Sequence, residues 1–111
     1  MIFDALTIFP DMLQCFLKRG LIYQARKEGS IKVGVWDLRQ YAADPRDSVD
    51  DRPYGGGPGM VLKPEPFFRG VDAIKAGRGG GHVVMMSARG KLINQGKIRS
   101  LADKENLILL C

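Results

Sequence analysis

The residues best equipped for chemistry stand together in Ser48-Val49-Asp50-Asp51-Arg52-Pro53-Tyr54-Gly55-Gly56-Gly57-Pro58-Gly59-Met60. Asp50 and Asp51 can accept hydrogen bonds from a base edge, Arg52 can pair with a phosphate, and Tyr54 can stack on a nucleobase. Gly55, Gly56, Gly57 and Gly59, with Pro58 among them, give the backbone access to positive φ and let a ligand approach without Cβ obstruction. Two familiar phosphate loops are excluded. Counting G-x-G-x-x-G from Gly55 puts Met60 where the third glycine belongs, and no Gly-Lys-Ser/Thr of a P-loop occurs. The plainer reading is a solvated turn in which Asp50 or Asp51 caps neighbouring backbone. Adjacent carboxylates in an extended loop point apart, so a dyad sharing one proton is not expected.

A second candidate is Met85-Met86-Ser87-Ala88-Arg89-Gly90, at the end of an apolar run. In a parallel sheet such a strand-to-helix loop is the default ligand crevice. Ser87 offers a hydroxyl, the turn offers backbone amides, and Met85 and Met86 offer soft apolar surface; a plain connection is the competing reading. His82 has no partner suggested by sequence. Cys15 and Cys111 are too few for a disulfide framework and match no metal-ligand spacing, so both are expected to be buried thiols.

The elements that must hold these segments follow from periodicity. Ile2 to Ile8 reads as a strand, and Pro10 with Asp11 opens a helix carrying Met12, Leu13, Phe16 and Leu17. Gly20 breaks it before a short helix from Leu21 to Lys27. Ile31 to Trp36 alternates as a second strand. Tyr41 to Gly59 sustains no period and reads as a long loop, a feature that is usually functional or mobile. Beyond Pro64 and Pro66, Phe67, Val71 and Ile74 share one helical face. Val83 to Met86 is a short strand, Asn94 a cap for a helix turning Ile98, Leu101 and Ala102 inward, and Leu107 to Leu110 a strand buried on both faces. Trp36 and the phenylalanines take core positions. Alternating strands and helices predict an α/β fold, a parallel sheet flanked by helices, whose strand order periodicity does not reveal.

At 111 residues, 45% hydrophobic and 26% charged, the chain suits one ordinary globular unit. Size scaling gives roughly 6,100 Å² of surface when folded against roughly 17,800 Å² unfolded, so about two-thirds would be buried. No apolar run approaches the roughly 20 residues of a membrane span, and no signal-type segment opens the chain, so a cytoplasmic protein without a membrane partner is expected. The net charge of +5 is compatible with nucleic acid without demanding it. The apolar stop at Leu107 to Cys111, with no following loop, reads as a cut through a larger sheet.

Taken together, the strand leading into Phe9-Pro10-Asp11-Met12, the Val49 to Met60 string, Ser87 to Gly90 and the final Leu107 to Cys111 closely resemble the N-terminal part of the bacterial tRNA (guanine-N1)-methyltransferase family. The resemblance spans nearly all of residues 1–111. It implies a SPOUT-class enzyme that methylates N1 of guanosine 37 beside the anticodon, using S-adenosylmethionine, with Mg²⁺ as a typical aid. It implies a homodimer acting on tRNA, with a knotted C-terminal part and a helical domain that follow the matched region. The family's base and arginine then lie beyond Cys111, and no catalytic residue falls within this chain. Carried over by position, Met85, Met86, Ser87, Ala88 and Arg89 match a loop lining the cofactor pocket. Ala88 stands where a proline is usual and Arg89 where a glutamine is common; contacts made through backbone survive those changes. Asp50, Asp51, Arg52, Tyr54 and Gly55 to Gly59 match the loop beside the flipped-out guanine, preceded by Arg46 where the family has a histidine. A fragment of this kind would be inactive alone. The rival readings are a non-enzymatic RNA-binding or dimerisation module and, less favoured by the two failed motifs, a nucleotide-phosphate binder.

Overall fold

The computed structural model describes residues 1–111. Four parallel strands form the sheet, in the order β2 (Lys32–Asp37), β1 (Ile2–Thr7), β6 (Asn106–Leu110), β5 (His82–Met85). The helices are α1 (Pro10–Phe16), α2 (Gly20–Lys27), α3 (Pro64–Arg78) and α4 (Gln95–Ala102). A 3₁₀ turn, Leu38–Tyr41, follows β2, and a two-residue-deep hairpin pairs β3 (Asp50–Asp51) with β4 (Val61–Leu62). The expected α/β class and the strand-helix alternation hold, with boundaries moved by one or two residues.

Local chemistry explains the ends. Pro10 sits in the first turn of α1 with Asp11 beside it, and Asn94 caps α4 by accepting from the Lys97 amide at 2.9 Å. In a parallel sheet the two faces must both be covered, and here they are covered unequally. Leu6, Leu38, Val49, Ile74 and Ile108 are fully or almost fully buried and make the core, with Ile8, Trp36, Tyr41, Leu62, Phe67 and Val71 packed around them. That core lies between the sheet and α3. A Cβ at Gly70 would stand 2.6 Å from a Leu6 methyl, so glycine lets α3 settle directly onto β1.

Several expectations fail for one reason, sparse cover elsewhere. Cys15 and Cys111 are exposed, not buried. Phe9, Phe16 and Phe68 face solvent, while Trp36 and Phe67 are half-buried against the core as expected. On α4, Ile98 is 48% exposed, Ala102 is exposed and only Leu101 is half-covered, so its apolar stripe finds no full partner. Leu107 and Ile108 are buried, whereas Leu109 and Leu110 are only half so. The total surface is 8323 Å², well above the size-scaled figure of roughly 6,100 Å². The radius of gyration, 15.4 Å, likewise exceeds the roughly 13 Å of a compact chain this long.

Candidate functional site

The stretch read as a long loop, Tyr41 to Gly59, starts on the last residue of the 3₁₀ turn and contains β3 and the connection toward β4. Two-residue strands leave no periodicity to detect, which is why the pattern missed them. The hairpin is anchored at its base. Val49 is buried in the core, Leu62 packs on it, and the Lys63 amide donates to the Val49 carbonyl at 2.7 Å. Asp44 fastens the approach by accepting from the Ser48 amide at 3.0 Å and the Arg46 amide at 2.9 Å, with the Lys63 ammonium 3.9 Å away. These donors, the Ser48 amide foremost, hold the Asp44 carboxyl below its ordinary range.

Past the anchor the chain stands clear. Gly55, Gly56, Gly57 and Gly59 have φ of 84°, 81°, 112° and 93°, and a Cβ at any of them would meet nothing within 4 Å. Those glycines therefore serve the path of the backbone, not packing. Tyr54 at the tip is fully exposed, and Arg52 and Pro58 also face solvent. Asp50 is half-buried in the pairing, while Asp51 accepts from the Arg52 amide at 2.7 Å. The backbone-capping role is thus real for Asp51, and it leaves the second carboxylate oxygen available.

An open groove of about 530 Å³ lies beside the hairpin, lined by Asp44, Asp51, Arg52, Tyr54, Lys63 and Arg69 among others. Arg69 is oriented by donating to the Tyr41 carbonyl at 3.4 Å. The groove mixes carboxylates, cations and a phenol, a set able to hold a nucleobase edge and a phosphate together.

Met85 to Arg89 leave the carboxyl end of the edge strand β5. Met85 is 71% exposed and Met86 is also open. The Ser87 hydroxyl accepts from the Arg89 amide at 3.2 Å, and the Ser87 carbonyl accepts from Gly90 at 3.0 Å, so the turn is self-bonded. Met86 donates to the Leu110 carbonyl at 3.0 Å, leaving the Ser87 and Ala88 amides without an acceptor. The turn thus presents two adjacent backbone donors next to two exposed methionine side chains. The groove at the hairpin includes none of these five residues, so the two candidate segments do not share a cavity within this chain. No three His, Cys, Asp or Glu side chains converge on one point of the chain.

One arrangement escaped the sequence reading. Asp4, with 0% exposure in the middle of β1, accepts from the Trp36 indole at 2.8 Å and from the Arg78 Nε and Nη2 at 3.0 Å each. The available signal was a carboxylate inside an apolar strand, which demands a partner.

The parallel sheet, with loops gathered at the carboxyl ends of its strands and a glycine-rich hairpin beside them, defines an α/β domain of the ligand-binding type. Comparison with known proteins makes the assignment. The chain belongs to the tRNA (Guanine-1)-methyltransferase TrmD family, whose model matches residues 1–111. It is 42% identical over 108 residues to the tRNA (guanine-N(1)-)-methyltransferase of Thermosipho africanus, covering 97% of this chain and 44% of that protein. It is 43% identical over 110 residues to that of Moorella thermoacetica, again covering 97% and 44%. The crystal structure of tRNA (m1G37) methyltransferase from Aquifex aeolicus superposes with a TM-score of 0.91 at 40% identity, covering all of this chain and 50% of that one. The chain thus spans less than half the length of the curated relatives it matches.

Proposed function

We propose that this chain is the N-terminal part, residues 1–111, of a SPOUT-type tRNA methyltransferase that transfers a methyl group from S-adenosylmethionine to N1 of guanosine 37. The observation that carries the reading is the family match over the whole chain, supported by the superposition of the whole chain on half of the Aquifex aeolicus enzyme. The whole protein is read as a cytoplasmic homodimer acting on tRNA.

Guanine N1 bears a proton well above neutral pKa, so its attack on a methyl group needs a base and stabilisation of charge growing on O6. Those groups are assigned to the part of the protein beyond Cys111. S-adenosylmethionine supplies an activated sulfonium methyl, and the remaining task is orientation. Here the chain's own residues act. The Ser87 and Ala88 amides and the Met85 and Met86 side chains form one wall for the adenosyl group. Arg52 meets phosphate, Tyr54 stacks on an extruded base, and the free Asp51 oxygen accepts from a base edge. The glycine path from Gly55 to Gly59 lets backbone approach the flipped nucleotide closely.

The test is methyl transfer by the whole protein that carries this chain. With a labelled methyl donor and a tRNA bearing guanosine at 36 and 37, 1-methylguanosine is expected, and a tRNA with adenosine at 37 should accept no label. Absence of 1-methylguanosine from the first tRNA overturns the assignment. Residues 1–111 alone are expected to bind S-adenosylmethionine weakly or not at all, as calorimetry would show.

A further inference from the structure

A second surface, on the α1–α2 side of β2, carries cations with no acidic partner among apolar side chains. From Leu17 to Val33 the sequence places Lys18, Arg19, Arg26, Lys27 and Lys32 against the single acid Glu28. The fold gathers four of them. One groove of about 500 Å³ is lined by Tyr23, Arg26, Lys27, Ile31, Lys32 and Val33. A second, of about 270 Å³, holds Lys18, Leu17 and Val35 and shares Arg26 and Val33 with the first. The two adjoin at Arg26 and Val33 and make a two-part depression. No acidic side chain lines either part, and the ion pairs of the molecule, Arg78 with Asp4 and Lys63 with Asp44, lie elsewhere. Arg26 is fixed in place by donating to the Leu17 carbonyl at 3.2 Å. The α2 dipole favours Arg26 and Lys27 in its last turn. It gives no reason for Lys18 or Lys32, which come from other segments.

We propose that this depression binds the phosphate backbone of double-helical RNA, a surface separate from the hairpin groove and facing the substrate's stems. Unneutralised cations along an open channel suit a repeating polyanion, because each phosphate they replace counterions on gains from ion release. Half-exposed Tyr23 and the Ile31 and Val33 floor offer apolar surface to ribose. The proposal deepens the tRNA reading above and rests on it for the identity of the RNA.

The test uses the whole protein and a plain RNA duplex of about 20 base pairs, which has no acceptor guanosine loop, titrated across salt. The variant Lys18→Gln/Lys27→Gln/Lys32→Gln is compared with Lys97→Gln/Arg99→Gln/Lys104→Gln, which removes as many exposed charges around α4. The groove variant should bind at least tenfold more weakly, with its log–log salt slope shallower by about two to three, as about three lost phosphate contacts require. The α4 variant should change by less than threefold. Equal losses in the two variants overturn the proposal, as does stronger displacement of the duplex by polyglutamate than by a second RNA duplex. Methyl transfer by the wild-type protein is read separately. Its failure beside intact duplex binding counts against the enzyme assignment alone, and its success beside an unaffected groove variant counts against the groove alone.

Discussion

Arg78, the last residue of α3, grips the fully buried Asp4 of β1 through two parallel hydrogen bonds of 3.0 Å. The pair joins residues 74 positions apart and locks the helix end to the sheet centre. The Asp4 carboxylate in turn raises the Arg78 guanidinium above its ordinary range, by the hydrogen bond first and the charge second. Arg78 keeps 31% of its side chain in solvent, which tempers the energy of the pair. Replacing Arg78 by Ala strands a buried carboxylate and should cost about 3 kcal/mol, with Arg78→Lys costing less because one donor remains. Urea midpoints at constant slope would show the order. Equal stability of the Ala variant and wild type would refute the role.

Gly34 of β2 lies opposite Asp4 in the strand register. A Cβ there would overlap the Asp4 Oδ1 and stand 2.9 Å from the Trp36 indole nitrogen and 3.2 Å from Arg78. Gly34→Ala should therefore destabilise by about 2 kcal/mol through overpacking. Gly77→Ala, in α3 with nothing within 4 Å of its added methyl, should be neutral or stabilise by up to about 1 kcal/mol. Thermal unfolding of the two variants should thus move in opposite directions.

The hairpin glycines predict a separation of stability from activity. Gly57, at φ 112° with open space around it, resists any side chain through backbone strain alone. Gly57→Ala should leave global unfolding within about 1 kcal/mol, since an exposed loop can reshape locally. Methyl transfer by the whole protein should fall at least tenfold. An unaltered rate would show that the path of this loop is not used.

Asp44 sets the acid behaviour of the hairpin base. Its folded-state pKa lies below the unfolded value, so its contribution is present above the ordinary carboxylate range and is lost as pH falls through the lowered value. The Asp44 carboxyl signal in an NMR titration should accordingly move at lower pH than a free aspartate. In Asp44→Asn, loosening of Arg46 to Asp51 should no longer depend on acid pH.

The sheet was legible because Ile2 to Thr7 and Asn106 to Leu110 are mostly apolar and Ile31 to Trp36 alternates, and the helices because Pro10 and Asn94 mark their starts. Strand order was not, since it depends on which crossovers pack best and not on any one strand. Within the candidate site, the Asp50 to Gly59 string was conspicuous by composition. Its anchoring was hidden, because Asp44 and Lys63 meet only after the hairpin closes. Asp4 shows the same limit: its charge could be noticed in β1, but Arg78 and Trp36 are distant in sequence. The outward-facing Ile98, Phe16 and Cys15 misled the pattern, which assigns an apolar residue to the interior without knowing how much cover exists.

The exposed surface of 8323 Å² has a calorimetric consequence. Measured against roughly 17,800 Å² for the unfolded chain, folding removes about a fifth less surface from water than the size-scaled figure. The heat-capacity increment of unfolding follows that area, so it should fall below the roughly 1.3 to 1.7 kcal/mol/K usual for this length. The stability of residues 1–111 should then vary along a flatter curve with temperature, and its denaturant slope should be correspondingly shallow.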